Sequence, residues 1–136
     1  MENKINLPVK HTELDKLKEI ANRLSFAELV QGQVDGFAVY ECDKGTCFGQ
    51  SLLHTDDIAV SNTFASVGTE FAQHVHCVLE IVIVYQGKMV LSTNGDVIEV
   101  GEKENIIIKP NMPHSAFFST DTWMICMTIP ADENYP

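Results

Sequence analysis

Residues 70–87, with the sequence EFAQHVHCVLEIVIVYQG, are the feature that most constrains how this chain can fold. The run 78–85 is almost wholly apolar, which is typical of a strand buried on both faces. His74, His76 and Glu80 interrupt this region at even positions, and residues of one parity share one face of a strand. Because burying imidazole and carboxylate groups costs free energy, these three residues require a partner that satisfies them.

A metal ion is the partner that this residue set favours. On one flat strand the three side chains would spread over roughly 20 Å, and a curved or bulged strand would bring them together. Two imidazoles and a carboxylate that converge on a barrel interior can bind a divalent cation, which offsets their desolvation. His114, directly after the turn 110–113, is the candidate for a fourth ligand from another strand. Cys77 has the opposite parity and is not counted as a ligand.

Short β-rich runs separated by turn residues fill the chain from Val34 onward, which predicts an all-β sandwich or barrel. The strongest hairpin signal is Asn94-Gly95 between two apolar-alternating runs. The predicted strands cover 37–41, 47–53, 58–66, 73–85, 88–93, 96–100, 105–109, 115–119 and 123–129.

Residues 12–31 have a different pattern, with leucines and other apolar residues at three- and four-residue spacing. This pattern predicts an α-helix that either packs on the rest of the protein or serves a dimer contact. We therefore expect an N-terminal helical segment at 1–33, a β-barrel domain at 34–130 and a polar tail at 131–136.

The chain of 136 residues suits one domain, and its formal net charge is −10. An acidic surface disfavours binding to nucleic acids and anionic membranes, and the sequence contains no apolar run long enough for a membrane span. The N-terminus lacks an apolar signal core, so we expect a cytoplasmic protein. A disulfide between Cys42 and Cys47 is geometrically conceivable across a turn, but reduced thiols are the favoured interpretation in the cytoplasm.

The spacing of Gly68, His74, His76, Glu80 and Gly87 resembles the first conserved motif of the cupins at every fixed position. The second motif is looser, with Pro113-His114 where that family places its fourth ligand. Lys103 and Asn111 both stand where that motif has glycine, and Asn tolerates the positive φ that such a position requires.

The resemblance implies a cupin-type jelly-roll barrel with a metal in its mouth, held by His74, His76, Glu80 and His114. The ion would be one divalent transition metal, with Fe, Mn, Ni, Zn, Co and Cu all compatible with the ligand set. Phe118 shares the parity of His114 and is the candidate for a substrate-pocket residue.

Three functions are compatible with this interpretation. The first is a metal-dependent enzyme acting on a small molecule, with dioxygenase as the leading reaction and isomerase or lyase as others. The second is a non-catalytic binding or sensor module for a small ligand, and the third is a structural or storage role for the ion. A barrel of this size is also expected to form a homodimer that covers its sheet edges.

Overall fold

Ten β-strands and no helix make up residues 36–132, the part of the chain that the computed structural model describes. The predicted helix 12–31, the segment 1–33 to which it belongs and the tail residues 133–136 lie outside these described residues. Within them, no helix is long and apolar enough to cross a membrane. The strands are β1 Phe37–Tyr40, β2 Cys47–His54, β3 Ala59–Ala65, β4 Glu70–His74, β5 Leu79–Gln86, β6 Met89–Thr93, β7 Asp96–Val100, β8 Glu104–Ile108, β9 His114–Phe118 and β10 Thr122–Ile129.

The strands form two antiparallel sheets in a jelly-roll-like arrangement, so the all-β expectation is confirmed. One sheet has six strands in the order β1-β2-β3-β10-β5-β8, and the other has four in the order β4-β9-β6-β7. Sequence neighbours are often not spatial neighbours: β10 lies between β3 and β5, and β9 lies between β4 and β6. Such crossovers between two sheets are what brings distant segments of the chain to one interior.

The prediction of a single strand at 73–85 is wrong, because the chain changes sheets within it. β4 ends at His74 in the four-stranded sheet, and β5 begins at Leu79 in the six-stranded sheet. Residues 75–78 form an irregular connection between them. His74, His76 and Glu80 therefore do not share one face of a strand, and parity alone could not place them. The corner, rather than strand curvature, brings them together.

The predicted hairpin at Asn94-Gly95 is confirmed. Thr93 pairs with Asp96, so Asn94 and Gly95 form the two-residue loop between β6 and β7. Both have positive φ, +50° and +82°, which is the conformation that this kind of tight hairpin turn requires.

The core lies between the two sheets and consists of inward-facing side chains of both. Alternate residues of β3 and β10 are buried along their whole length, as expected for strands that cross the middle of a sheet. The fully buried large side chains include Leu91, Ile108, Val82 and Phe118. The four cysteines at 42, 47, 77 and 126 are free, so no disulfide joins Cys42 to Cys47.

The outward face of the six-stranded sheet carries a row of aromatic side chains. Ring centroids are 5.4 Å apart for Phe37 and Phe48, 5.3 Å for Phe48 and Phe64, and 4.9 Å for Phe64 and Trp123. Tyr85 continues the row at 6.5 Å from Trp123. By strand alternation and register, no outward position of these six strands holds a charged residue. This face is uncharged and largely apolar, whereas the chain as a whole has a net charge of −10.

Candidate metal centre

Three of the four candidate ligands come from elements that meet at one end of the sandwich. His74 is the last residue of β4, His114 is the first residue of β9, and the two are register partners in the four-stranded sheet. His76 lies two residues further on, in the connection to β5. Because β4 and β9 are antiparallel neighbours, the end of one and the start of the other necessarily coincide.

The turn before His114 is hydrogen-bonded to the connection between β4 and β5, in which His76 lies. The backbone N–H of Met112 donates to the carbonyl of Lys109 at 3.3 Å, and Asn111 has φ +62°, so Pro110-Asn111 occupy the centre of a tight turn. Positive φ at the third residue, after proline, is typical of a type II turn. The N–H of Asn111 donates to the carbonyl of His76 at 2.8 Å. The expectation that Asn111 tolerates positive φ is thus met, and its turn links the two motifs.

The three imidazoles form a compact cluster. One ligand nitrogen from each of His74, His76 and His114 lies within 4.8 Å of the others. Three ligands spread evenly around one ion, with bonds of about 2.1 Å each, are separated by about 3.6 Å. Ring rotations that shorten the longest of these separations by about 1 Å would bring all three nitrogens to one ion.

Each imidazole is also oriented by its second nitrogen. The Nδ1 atoms of His74 and His114 lie 2.8 Å from the carbonyls of Ala72 and Met112, two residues before each histidine. Nδ1 of His76 lies 3.4 Å from the carbonyl of Val78. When Nδ1 donates its hydrogen to a carbonyl, Nε2 keeps a lone pair directed into the cluster, which is how metal-binding histidines are usually held.

Glu80 adds a carboxylate to this cluster. Its Oε2 atom lies 2.7 Å from Nε2 of His76, and both side chains are largely buried. Nε2 of His76 nevertheless makes no well-directed hydrogen bond. A lone pair and a carboxylate oxygen at this separation repel each other unless a cation, either a proton or a metal ion, neutralises them. The pair is therefore arranged to hold a positive charge.

The pKa values of the histidines reflect the same arrangement. The close approach of the Glu80 carboxylate and its charge raise the pKa of His76, whereas burial lowers the pKa of His114, with the neighbouring imidazoles acting in the same direction. His114 is 3% exposed, whereas His74 is exposed to solvent. The cluster is thus closed on its inner side and open on its outer side.

Below the cluster lies a cavity of about 110 Å³ between the sheets. His74, Glu80 and His114 line its upper part, and Phe118, on the same face of β9 as His114, lines its lower part. Phe118 is 1% exposed, so it is also a core residue, and its contact with a substrate stays a prediction.

Tyr40, Cys47 and Cys126 also line the cavity, and sequence reasoning did not assign them to the site. Burial raises the pKa of all three, to about 12 for Cys47. Their inward parity in β1, β2 and β10 was readable from the sequence, but which inward positions surround a cavity depends on how the sheets pack.

The residues present fit a divalent transition metal. Three imidazoles and a carboxylate are the donor types that iron, zinc, nickel and copper accept, and the histidines are already oriented as ligands. This ligand set does not select among those ions.

Comparison with known proteins agrees with this fold. A family described as "Cupin domain" matches residues 64–130, a range that contains all four candidate ligands. No curated protein matches the sequence.

Several solved structures have a similar fold at low sequence identity. An RmlC-like cupin from Shewanella frigidimarina has a TM-score of 0.63 at 18% identity, covering 76% of this chain and 88% of that one. KdgF from a Halomonas species has a TM-score of 0.63 at 17% identity, with 71% and 91% covered. Ectoine synthase from P. lautus has a TM-score of 0.57 at 18% identity, with 65% and 67% covered. At this identity the likeness establishes a shared fold alone.

Proposed function

The chain belongs to the cupin superfamily, and from this premise we propose that it binds one divalent transition metal and acts on a small molecule inside its barrel. His74, His76, Glu80 and His114 would hold the ion. The leading reaction is a metal-dependent oxygenation, with isomerisation or elimination as the other reactions that such a centre supports.

The observation that carries this proposal is the shared orientation of three imidazoles. His74, His76 and His114 each place Nδ1 against a backbone carbonyl and a second nitrogen in the cluster. Buried core histidines usually find unrelated partners for both nitrogens. Three side chains held in the same way around one point instead favour a common ligand.

The arrangement also supports access for a substrate. Bound in this cluster, the ion would supply a Lewis acid or, as iron, a centre for dioxygen activation. His114 and Glu80 close the inner side, since both are buried, and exposed His74 leaves the outer side open. A molecule that enters past His74 would meet the apolar cavity, whose walls exclude water from the reacting atoms.

One observation favours the alternative, a non-catalytic binding or sensor module. Apart from the histidines and Glu80, the titratable side chains that line the described cavity are Tyr40, Cys47 and Cys126. Because burial raises the pKa of each, they stay protonated near neutral pH and are poor bases. A barrel that only binds a ligand needs no such base.

Metal analysis tests the proposal directly. We expect protein purified without chelator to contain close to one transition-metal ion per chain by plasma mass spectrometry, and His76→Ala to lose it. His54→Ala is the matched control, because His54 lies in β2 outside the cluster. Circular dichroism spectra of both variants would establish that they fold. Metal-free wild-type protein after reconstitution with each candidate ion would refute the proposal.

Turnover separates the two candidate functions. With iron bound, an oxygenase consumes dioxygen when its substrate is added, whereas a binding module gives only a change in the spectrum of the ion. An isomerase or lyase would instead be active with zinc or nickel and without oxygen uptake. Ligand binding without turnover under all these conditions would favour the binding module.

A further inference from the structure

Among the described residues, the lining of the cavity contains no lysine or arginine side chain. The lysines of the described residues are Lys44, Lys88, Lys103 and Lys109, and none of them lines the cavity below the histidine cluster. Lys44 and Lys88 lie on the surface, where they form ion pairs with Glu70 and Glu99. The one arginine of the chain, Arg23, is outside the described residues.

Apart from the metal ion that the proposed function assigns to the cluster, the charge that lines the cavity is unfavourable for an anion. Glu80 is the carboxylate at its upper end, and the protein as a whole has a net charge of −10. A ligand carboxylate buried below the cluster would have no cationic partner among the described lining residues. An unpaired buried charge costs several kcal/mol, so such a ligand would bind poorly.

The lower part of the cavity is apolar, with a few neutral polar groups. Val82, Leu91, Ile108 and Phe118 form much of the wall. Thr63 also lines it, and its hydroxyl is already hydrogen-bonded to Ser61 at 3.1 Å. Tyr40, Cys47 and Cys126 also line it, and phenol and thiol groups are uncharged near neutral pH. The cavity can thus accept an apolar group or one hydroxyl or carbonyl, but its described lining residues offer an anionic group no counterion.

The cavity volume limits the size of the ligand. A water molecule needs about 10–15 Å³ of such volume, so a cavity of about 110 Å³ has room for roughly eight water-sized groups. A ligand that fills this cavity and reaches the histidine cluster therefore has about six to eight non-hydrogen atoms.

We propose that this site is selective for small ligands with a metal-binding end and an uncharged, mainly apolar body of about this size, and that it rejects ligands with a second, anionic end. This inference rests on the proposed function, since the histidine cluster supplies the attachment of the ligand. It adds a substrate class to that function, and the absence of lysine and arginine from the described cavity wall is the observation that carries it.

Two matched hydroxamic acids test the selectivity. Butanohydroxamic acid and succinic monohydroxamic acid share the same metal-binding end and chain length, but the second has a carboxylate in place of the terminal methyl group. 4-Methylpentanohydroxamic acid, whose isopropyl group has the shape of that carboxylate, is the size control and should also bind more tightly than the carboxylate. Acetohydroxamic acid, with almost no tail, serves as the reference for binding through the metal alone. Affinities are measured by calorimetry and by the visible spectrum of the Co²⁺-loaded full-length protein, with the metal content determined on the same samples.

We expect butanohydroxamic acid to bind at least about 100-fold more tightly than succinic monohydroxamic acid, and more tightly than acetohydroxamic acid. Equal affinities, or a preference for the carboxylate tail, would overturn the selectivity while leaving the metal site intact. Metal-loaded protein that binds none of these hydroxamic acids would also overturn it. Protein that takes up no metal would instead refute the proposed function, and the inference with it.

Two neighbouring residues of β9 provide a control on where the tail lies. Ala116 faces the cavity, whereas Ser115 has the opposite parity and lies in a groove on the other side of the sheet. Ala116→Val should weaken butanohydroxamic acid by about tenfold relative to acetohydroxamic acid, because it fills space that the tail needs. Ser115→Val should leave this ratio unchanged. An unchanged ratio in Ala116→Val would contradict a tail inside the barrel.

Discussion

Nε2 of His76 lies 2.7 Å from Oε2 of Glu80, although His76 belongs to the connection between two sheets and Glu80 to a strand of the second sheet. The connection 75–78 turns the chain so that these two side chains meet at the inner side of the cluster. Nε2 of His76 has no hydrogen-bond partner in this geometry, and a cation bound there would neutralise the close approach of the carboxylate. The position of the corner 75–78 therefore determines whether His76 and Glu80 can bind the same cation.

Replacing Glu80 with glutamine should weaken metal binding. Glu80→Gln keeps the shape of the side chain but removes the negative charge that faces His76. We expect the dissociation constant for Zn²⁺, measured by competition with a chelator, to rise at least about tenfold. Glu99→Gln is the control, because Glu99 is exposed and pairs with Lys88 on the surface. The same affinity in Glu80→Gln and the wild type would show that Glu80 is not part of the metal site.

The two motif glycines should differ in their tolerance of alanine. Both have positive φ, +84° at Gly68 and +95° at Gly87. A Cβ atom at Gly68 would meet nothing, but one at Gly87 would contact the carbonyl oxygen of Asp121 and lie 2.8 Å from Cα of Thr122. We expect Gly68→Ala to lower the free energy of unfolding by about 1–2 kcal/mol, and Gly87→Ala by about 3 kcal/mol or more. Urea denaturation of both variants measures the difference, and equal losses would contradict this account.

Lys103 stands at a position where glycine should be more stable. It has φ +65°, a conformation that is unfavourable for a residue with a Cβ atom, in the turn before β8. Lys103→Gly should raise the free energy of unfolding by about 0.5–1 kcal/mol, because the relief of strain exceeds the added entropy of the unfolded chain. Lys109→Gly, at an exposed position without positive φ, should lower it instead. Thermal unfolding of both variants tests the opposite signs.

The buried thiols should make the protein unstable at high pH. Burial raises the pKa of Cys47 to about 12, from an ordinary value of 9.0, so the folded state retains a proton that the unfolded chain has lost. The stabilising effect is complete below pH 9.0 and is lost progressively as the pH rises towards 12, by at most about 1.4 kcal/mol per pH unit for this group.

Urea denaturation between pH 8 and 11 checks this expectation. Cys47→Val should show a shallower decline in stability with pH than the wild type, and Cys77→Ser, at an exposed cysteine, should not. Below pH 9 a thiol reagent should modify Cys77 rapidly and Cys47 only after unfolding. Rapid modification of Cys47 in the folded protein would contradict its burial.

The homodimer expected from the sequence stays a prediction, and the apolar outward face of the six-stranded sheet is the surface that we expect to form it. Because this face is uncharged, two copies with a net charge of −10 each can approach each other through it. Its dimensions of about 29 by 20 Å give an area that approaches the area per partner of a standard interface. Val39→Lys and Ile107→Lys, at exposed positions of this face, should produce monomers in light scattering.

Val97→Lys is the matched control for this experiment. Val97 is 66% exposed, close to the 71% of Val39, but it lies in β7 of the other sheet. A monomeric wild-type protein at micromolar concentration would refute the prediction. Dissociation in Val97→Lys, but not in Val39→Lys, would assign the interface to the four-stranded sheet instead.

Much of the fold was predictable because it depends on local patterns. The Asn94-Gly95 hairpin follows from residues that accept positive φ, and the alternation of β10 follows from a strand with one buried face. The split between His74 and Leu79 was not predictable from alternation, because an apolar run continues through a corner as readily as through a strand. The sequence shows that Lys103 replaces a glycine of the second motif, but it does not show that Lys103 has positive φ.

The sequence by itself determined which residue types form the site. The motif between Gly68 and Gly87 is defined only by residue types and by the number of residues between them, and both can be read without a structure. It also determined the charge balance, in which nine lysine and arginine side chains stand against nineteen carboxylates, so that few positively charged side chains can face a ligand. Only the tertiary structure decided that His76 sits in a corner held by Asn111, and that Tyr40 and Cys126 face the same cavity. Those contacts join residues from strands far apart in the chain, and their positions depend on the packing of two sheets, which no local pattern encodes.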